Sequence, residues 1–168
     1  YEVLQKCHDF AKELPSASFT LTSSPVTSSV KYSKPGGTAI LSSGAIASRR
    51  IPMQDRDWLG RWVTQTFTGK DGKYFKVYSA YQVTQKKVPI GRGTAANQQE
   101  ACLRNKGFQN PSLQFYKDLK ETIKRDLKED YEILILGDFN ECLYENNCGL
   151  VGIVTEFQLH DLTYEVCP

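Results

Sequence analysis

The spacing of apolar residues predicts three helices. In residues 2–14 apolar side chains recur at steps of three and four, as on one face of an amphipathic helix that ends at Pro15. Residues 96–106 have a helical pattern as well. A longer helix is predicted over residues 113–129, with Ser112 as its N-cap. Its apolar stripe consists of Leu113, Tyr116, Leu119, Ile123 and Leu127.

Alternating apolar and polar positions predict the strands. Residues 16–37 are rich in Ser and Thr, with two prolines, and indicate either irregular chain or one weak edge strand. After Gly36-Gly37 the segments TAILSS, AIASRRI, RWVTQTFTG and YFKVYSAYQV predict an antiparallel meander, in which the second segment is the hairpin partner of the first. A last strand is predicted near residues 159–162.

A run of four branched aliphatic residues, Ile133 to Leu136, predicts a central strand covered on both faces. Gly137 then frees the backbone to turn, and Asp138 and Asn140 present a carboxylate and a carboxamide at the carboxyl end of the strand. Open sheets tend to place their ligands at that edge. The tetrapeptide alone also fits a tight turn in which Asp and Asn bond to their own backbone.

Composition limits the class of protein. With 168 residues, 40% of them hydrophobic, the chain fits one globular domain that can bury a core without staples. It has no apolar stretch of membrane-spanning length and no signal-peptide pattern at its start. Its five cysteines form no CxxC pair, which favours neither a zinc knuckle nor a disulfide framework. We therefore expect an intracellular protein, cytoplasmic or nuclear; Cys142 and Cys148 would pair only in a secreted one.

Charge is distributed unevenly along the chain. Residues 31–106 contain 14 Lys and Arg against 4 Asp and Glu, whereas the rest of the chain contains 7 against 15. A basic middle suits a surface that faces phosphates, and it equally suits ordinary solvated loops. Within it, Lys86, Lys87 and Arg92 are candidates for contacts with a nucleic-acid backbone.

Four motifs together resemble the endonuclease/exonuclease/phosphatase superfamily, which includes DNase I. They are PGGTAIL, DWLGRWV, VYSAYQV and ILILGDFNE, and the resemblance covers most of the chain. It implies an α/β (α+β) fold, a DNase I-like four-layer αββα sandwich. Residues 1–168 would form a single, incomplete domain of this kind. It also implies a phosphodiesterase site with a divalent metal where the strands meet.

The resemblance assigns roles to three residues. Asp138 would orient or deprotonate the attacking water, which requires an ionised acceptor. Asn140 would donate its amide to a phosphate oxygen, and the phenol of Tyr81 would stabilise charge on the same phosphate. The implied cofactor is Mg²⁺ or Mn²⁺, with Asp138 as a possible ligand.

The chain also departs from the family pattern. Tyr81 is followed by Gln82, Val83 and Thr84 where many relatives have Pro-Asn. The family's metal-binding Asn and Glu are expected upstream of this chain and its closing Asp-His pair downstream, so we expect a fragment that lacks both ends of the domain. His160-Asp161 has the reverse order and is interpreted as a strand or loop segment. His8 is interpreted as a helix-surface residue and Arg61 as structural.

The residues after Asn140 bear on the substrate. Inositol phosphatases of this superfamily usually place an aromatic and an Arg there, but this chain has Glu141, Cys142 and Leu143. The motif GDFNE instead resembles endonuclease domains attached to reverse transcriptases in mobile elements, which predicts nicking of DNA. Two alternatives stay open: a non-catalytic truncated remnant or binding module of the same fold, and a small-molecule or lipid phosphodiesterase or phosphatase.

Overall fold

The computed structural model describes residues 2–14, 16–23, 36–53, 55–84, 94–108, 110–143 and 149–162. The chain has a mixed α/β fold with two open sheets, one of order β1-β2 and one of order β3-β4-β5-β6. The helices are α1 (Glu2–Glu13), α2 (Ala95–Arg104), α3 (Pro111–Lys128) and α4 (Gly149–Phe157). The strands are β1 (Ser18–Ser23), β2 (Gly37–Ser42), β3 (Arg50–Ile51), β4 (Trp62–Thr68), β5 (Tyr74–Tyr81) and β6 (Tyr131–Asp138). None of the described helices is both long and apolar enough to span a bilayer.

The smaller sheet confirms two predicted elements and corrects one. The Ser- and Thr-rich segment contains a strand, β1, which pairs antiparallel with β2 from Ser18 opposite Ser42 to Ser23 opposite Gly37. The prediction that residues 45–51 form the hairpin partner of β2 is wrong. That segment makes a 3-10 turn and then the short β3, which pairs with β4. Its Ala residues favour helical over strand conformation, and the preceding Gly44 has a positive φ of 65°.

The larger sheet begins as the predicted meander. β3, β4 and β5 are antiparallel neighbours, with Trp62 opposite Ala80 and Thr68 opposite Tyr74. The predicted turn between β4 and β5 is a 3-10 turn in which Asp71 has φ 56°. The meander is nevertheless one strand shorter than predicted, because β2 belongs to the other sheet.

β6 is confirmed as a strand, but not as a central strand covered on both faces. It pairs parallel with β5 over its whole length and is the last strand of its sheet among the described residues. Its side chains at Ile133 and Ile135 pack against the core, whereas Leu136, on the other face, is 53% exposed. A run of aliphatic residues does not reveal which of them the neighbouring elements reach.

α3 covers one face of the larger sheet, and its apolar stripe is shifted from the predicted one. Leu113 and Leu127 are 69% and 40% exposed, and the buried positions include Phe115, Tyr116, Leu119, Ile123 and the polar Asp126. The N-cap is Asn110, which accepts hydrogen bonds from the backbone N–H groups of residues 112 and 113; the predicted Ser112 cap is wrong. Pro111 at the first helical position suits this start.

The core lies between the larger sheet and helices α3 and α4. It consists of Trp62, Tyr78, Ala80, Phe115, Tyr116, Leu119, Ile123 and Ile153. On the opposite face of the sheet lies the β1-β2 pair, joined to it by Gln65. The Gln65 side chain donates from Nε2 to Oγ1 of Thr20 at 2.9 Å and to the carbonyl oxygen of Ile40 at 3.2 Å. This second interface is therefore partly polar.

The C-terminal part differs from the sequence prediction. α4 was not predicted, and the strand predicted near residues 159–162 is wrong, because residues 159–161 are irregular. α4 packs on α3, where Lys120 Nζ donates to Glu156 Oε2 at 2.8 Å. Val and Ile in the α4 sequence favour strands, so packing against α3 decides this segment rather than intrinsic propensity.

Candidate active site

The three predicted catalytic residues lie around the carboxyl ends of β5 and β6. Tyr81 and Asp138 are paired in register in the parallel ladder, which places their side chains on the same face of the sheet. The N–H of Gln82 donates to the carbonyl oxygen of Asp138 at 2.9 Å and extends this ladder by one bond. The two strands thus hold Tyr81 beside Asp138.

A tight turn follows β6, and just before it the close approach of β6 to β5 requires a glycine at position 137. Gly137 has φ +155°, and a Cβ atom built there would lie 2.0 Å from the carbonyl oxygen of Ala80. Asp138 Oδ1 accepts the backbone N–H of Asn140 at 2.9 Å, and Asn140 has φ 51°. The alternative interpretation, a tight turn in which the Asp side chain bonds to its own backbone, is therefore confirmed for Oδ1 of Asp138.

Phe139 fixes the direction of the turn. Its ring packs edge-on against Phe115 of the core, with 6.1 Å between the ring centroids. Its two neighbours, Asp138 and Asn140, are exposed. An inward aromatic between two outward polar residues is what presents the carboxylate and the amide to solvent.

Asn140 is tied to the adjacent strand. Its Nδ2 donates to the carbonyl oxygen of Gln82 at 2.7 Å. A carboxamide nitrogen carries two hydrogens, and this bond uses one of them. Likewise, the backbone N–H of Asn140 binds Oδ1 of Asp138 and leaves Oδ2 as a second acceptor.

Glu141 has a structural function that the sequence did not reveal. Its Oε2 accepts the backbone N–H of Leu150 at 3.2 Å, in the first turn of α4, and its Oε1 accepts from Nε2 of Gln82 at 3.4 Å. A carboxylate at a helix N-terminus is favourable because it pairs with unsatisfied N–H groups. Only the short spacing between Glu141 and Gly149 in the sequence could have suggested this contact.

A cavity of about 1140 Å³ opens beside the turn. Asp138, Asn140, Glu141, His160 and Asp161 are among the residues that line it, together with apolar residues of β6 and α4. Tyr81 does not line this cavity, although it is the neighbour of Asp138 in the sheet. His160 lies in irregular chain after α4, in agreement with its interpretation as a loop residue.

A second cavity of about 430 Å³ lies elsewhere, between α3, the end of α2 and residues 55–58. It contains none of the predicted site residues. Near it, the buried Arg61 binds Asp57 from Nε at 2.7 Å and Asp118 from Nη2 at 2.6 Å. Burial lowers the pKa of Arg61, but hydrogen bonds and charge from Asp57 and Asp118 raise it above its ordinary value. This confirms the structural interpretation of Arg61.

Only some of the remaining predicted residues belong to the described part of the chain. Lys86, Lys87 and Arg92 lie outside the described residues, and so does Cys148. Cys142 has a free, exposed thiol. Across the described ranges, no three Asp, Glu, His or Cys side chains converge as a metal site requires. The described residues alone do not form a complete Mg²⁺ or Mn²⁺ site.

Comparison with known proteins adds no further constraint. No family model, no curated protein and no solved structure matches this chain.

Proposed function

We propose that this chain belongs to a metal-dependent phosphodiester hydrolase of the endonuclease/exonuclease/phosphatase type that nicks DNA. The observation that supports this most directly is the in-register pairing of Tyr81 with Asp138 at the carboxyl ends of two parallel strands, with Asn140 tied to the same strand end. Two of the four motifs behind the resemblance, VYSAYQV and ILILGDFNE, meet at this point. Parallel strands commonly place ligands at that edge.

The proposed chemistry divides between the three side chains. The free oxygen of Asp138 orients or deprotonates a water for attack on phosphorus. The second amide hydrogen of Asn140 and the phenol of Tyr81 donate to non-bridging oxygens, whose negative charge increases in the transition state. Fixed donors cost no reorganisation during the reaction, and both residues are held by strand and turn hydrogen bonds.

We also propose that the fold is a DNase I-like four-layer sandwich. The support is the arrangement of three layers: α3 and α4 pack on one face of the larger sheet, and the β1-β2 pair packs on the other. In the proposed fold, a helical layer covers the outer face of β1-β2.

DNA is the proposed substrate because of the motif GDFNE and the basic middle of the sequence. The residue directly after Asn140 is Glu141, which caps α4. It is not a basic residue that could bind the extra phosphates of an inositol headgroup. A mobile-element protein with a reverse transcriptase domain is the proposed parent. The cofactor expected from the resemblance is Mg²⁺ or Mn²⁺.

Nicking of supercoiled plasmid in Mg²⁺ tests the proposal. We expect little or no nicking by the 168-residue chain alone, because a site with few carboxylates binds Mg²⁺ weakly. In the proposed parent protein, Asp138→Asn should abolish nicking, while Asp161→Asn, in the same cavity, should leave it intact. Nicking by a folded Asp138→Asn variant would remove this residue from the mechanism.

The same assays separate the alternatives. A remnant or binding module would retard DNA in a gel, but neither the 168-residue chain nor the proposed parent protein would nick it. A lipid or small-molecule hydrolase would release phosphate from phosphorylated lipids or hydrolyse small phosphodiesters and leave plasmid untouched. Either result would replace the DNA-nicking proposal.

A further inference from the structure

Gln82 follows Tyr81 directly and lies next to the candidate site, and its side chain is buried. Its Nε2 donates to Ser112 Oγ at the start of α3 and to Glu141 Oε1 at 3.4 Å. Its Oε1 accepts the hydroxyl of Tyr116 at 3.2 Å. Both hydrogens and the oxygen of the amide are therefore used, which is the condition for a buried carboxamide to stabilise its surroundings.

The backbone of the same residue binds the turn. Its N–H donates to the carbonyl oxygen of Asp138 at 2.9 Å, and its carbonyl oxygen accepts from Asn140 Nδ2 at 2.7 Å. Gln82 thus joins the end of β5 and the turn after β6 to the N-terminus of α3. Through Glu141 it also reaches the N-terminus of α4.

We propose that Gln82 is a positioning residue that holds the Asp138–Asn140 turn beside Tyr81. Its side chain fixes the end of β5 against α3, and its backbone carbonyl then fixes the carboxamide of Asn140. Hydrophobic residues of the same size would leave Ser112, Tyr116 and Glu141 without this partner. The catalytic meaning of this arrangement rests on the proposed function, but the arrangement itself can be measured without activity.

Gln65 provides a matched control. Gln65, in β4, is also fully buried, but it binds Thr20 and Ile40 of the smaller sheet, away from the turn. Replacing either glutamine by methionine keeps the length of the side chain and removes its hydrogen bonds. A general loss of stability will therefore appear in both Gln82→Met and Gln65→Met, whereas displacement of the Asp138–Asn140 turn will appear only in Gln82→Met.

The first test is amide hydrogen exchange by ¹⁵N NMR on the 168-residue chain. In Gln82→Met, the backbone N–H of Asn140 should exchange at least tenfold faster relative to the amides of the β4-β5 ladder. The Asn140 side-chain amide should also lose its distinct chemical shifts. In Gln65→Met both signals should stay as in the wild type. Unchanged Asn140 signals in Gln82→Met, or equal changes in both variants, would overturn the proposal.

A milder variant covers the case in which Gln82→Met does not fold. Ser112→Ala removes only one of the three partners of the Gln82 amide. It should accelerate exchange of the Asn140 N–H measurably and in the same direction. Wild-type exchange in folded Ser112→Ala would then count against positioning by Gln82.

The second test measures plasmid nicking by the proposed parent protein. Gln82→Met should lower kcat about 10- to 100-fold with little change in KM, because misplacement of catalytic groups acts on the chemical step. Unchanged kcat would overturn the catalytic meaning of the positioning. If the parent protein does not nick DNA at all, the proposed function fails, and the exchange experiment still decides whether Gln82 positions the turn.

Discussion

At the scale of single residues, the geometry of the candidate site depends on Gly137. The strand and the turn bring its Cα so close to Ala80 that there is no room for a side chain. The glycine therefore allows β6 to remain paired with β5 up to Asp138, where the chemistry is proposed to occur.

Gly137→Ala should destabilise the fold by about 2–4 kcal/mol, since the added carbon must push the two strands apart and adopt an unfavourable backbone conformation. Urea unfolding followed by circular dichroism measures this. Gly44→Ala is the matched control: Gly44 also has a positive φ, of +65°, but a Cβ atom there meets nothing within 4 Å. Equal losses of stability in both variants would show that the approach to Ala80 is not limiting.

Tyr78 gives the fold a pH dependence at the alkaline end. Its hydroxyl donates to Asp126, which Lys76 Nζ also binds at 2.8 Å. Burial, together with the hydrogen bond and the charge of Asp126, raises the pKa of Tyr78 far above its ordinary value. The unfolded chain releases this proton near pH 10 and the folded chain keeps it.

The stability that Tyr78 contributes is therefore complete below about pH 10 and falls at higher pH by about 1.4 kcal/mol per pH unit. Urea midpoints at pH 8.5 and pH 11 measure the decrease. Tyr78→Phe should be less stable at pH 8.5 and should lose less stability between the two values. An equal decrease in both proteins would contradict the assignment to Tyr78.

The family resemblance predicted that Asp138, Asn140 and Tyr81 lie together, and the structure has them at neighbouring strand ends, whereas their catalytic roles stay a prediction. It missed the roles of Gln82 and Glu141. These residues interact with each other across 59 positions in the sequence, and with helices whose exact faces the apolar pattern did not fix. Long-range polar contacts of this kind have no local sequence signal.

At the scale of elements, the segment at residues 55–61 is joined to α3 by buried charge. Asp57 accepts from Arg61 with both carboxylate oxygens, and Asp118 of α3 accepts from the same guanidinium. Asp57 Oδ2 also accepts the backbone N–H groups of Leu59 and Arg61. The network therefore both closes the loop and fixes it to the helix.

Removing one member of a buried ion pair leaves the other charge uncompensated and costs about 3–5 kcal/mol. We expect that cost for Asp57→Ala, whose side chain is 3% exposed, and a clearly smaller one for Asp118→Ala, whose side chain is 26% exposed. Thermal or urea unfolding of the two variants measures the difference. A larger loss for Asp118→Ala would mean that the helix contact, not the loop, is the main function of Arg61.

Most elements were predictable from periodicity, and the errors have physical causes. The apolar stripe of α3 was shifted because Leu113 and Leu127 fit the helical spacing but lie beyond the reach of the sheet. α4 was missed since its residues favour strands, and its packing against Tyr116 and Lys120 could not be known in advance.

At the scale of the whole molecule, we propose that three side chains, from the ends of β5 and β6 and from the turn after β6, act on one phosphate. Strand register and hydrogen bonds bring them to the same strand ends. The number of strands and their assignment to two sheets could not be predicted fully, because pairing between β1 and β2 spans a long Ser- and Thr-rich segment.

The most direct test is an NMR titration of the 168-residue chain with a short DNA duplex in Mg²⁺. We predict that signals of Asp138, Asn140 and Tyr81 shift together and saturate with a single dissociation constant. Shifts of Asp138 and Asn140 without Tyr81, or shifts confined to the residues around the 430 Å³ cavity, would contradict a shared phosphate site.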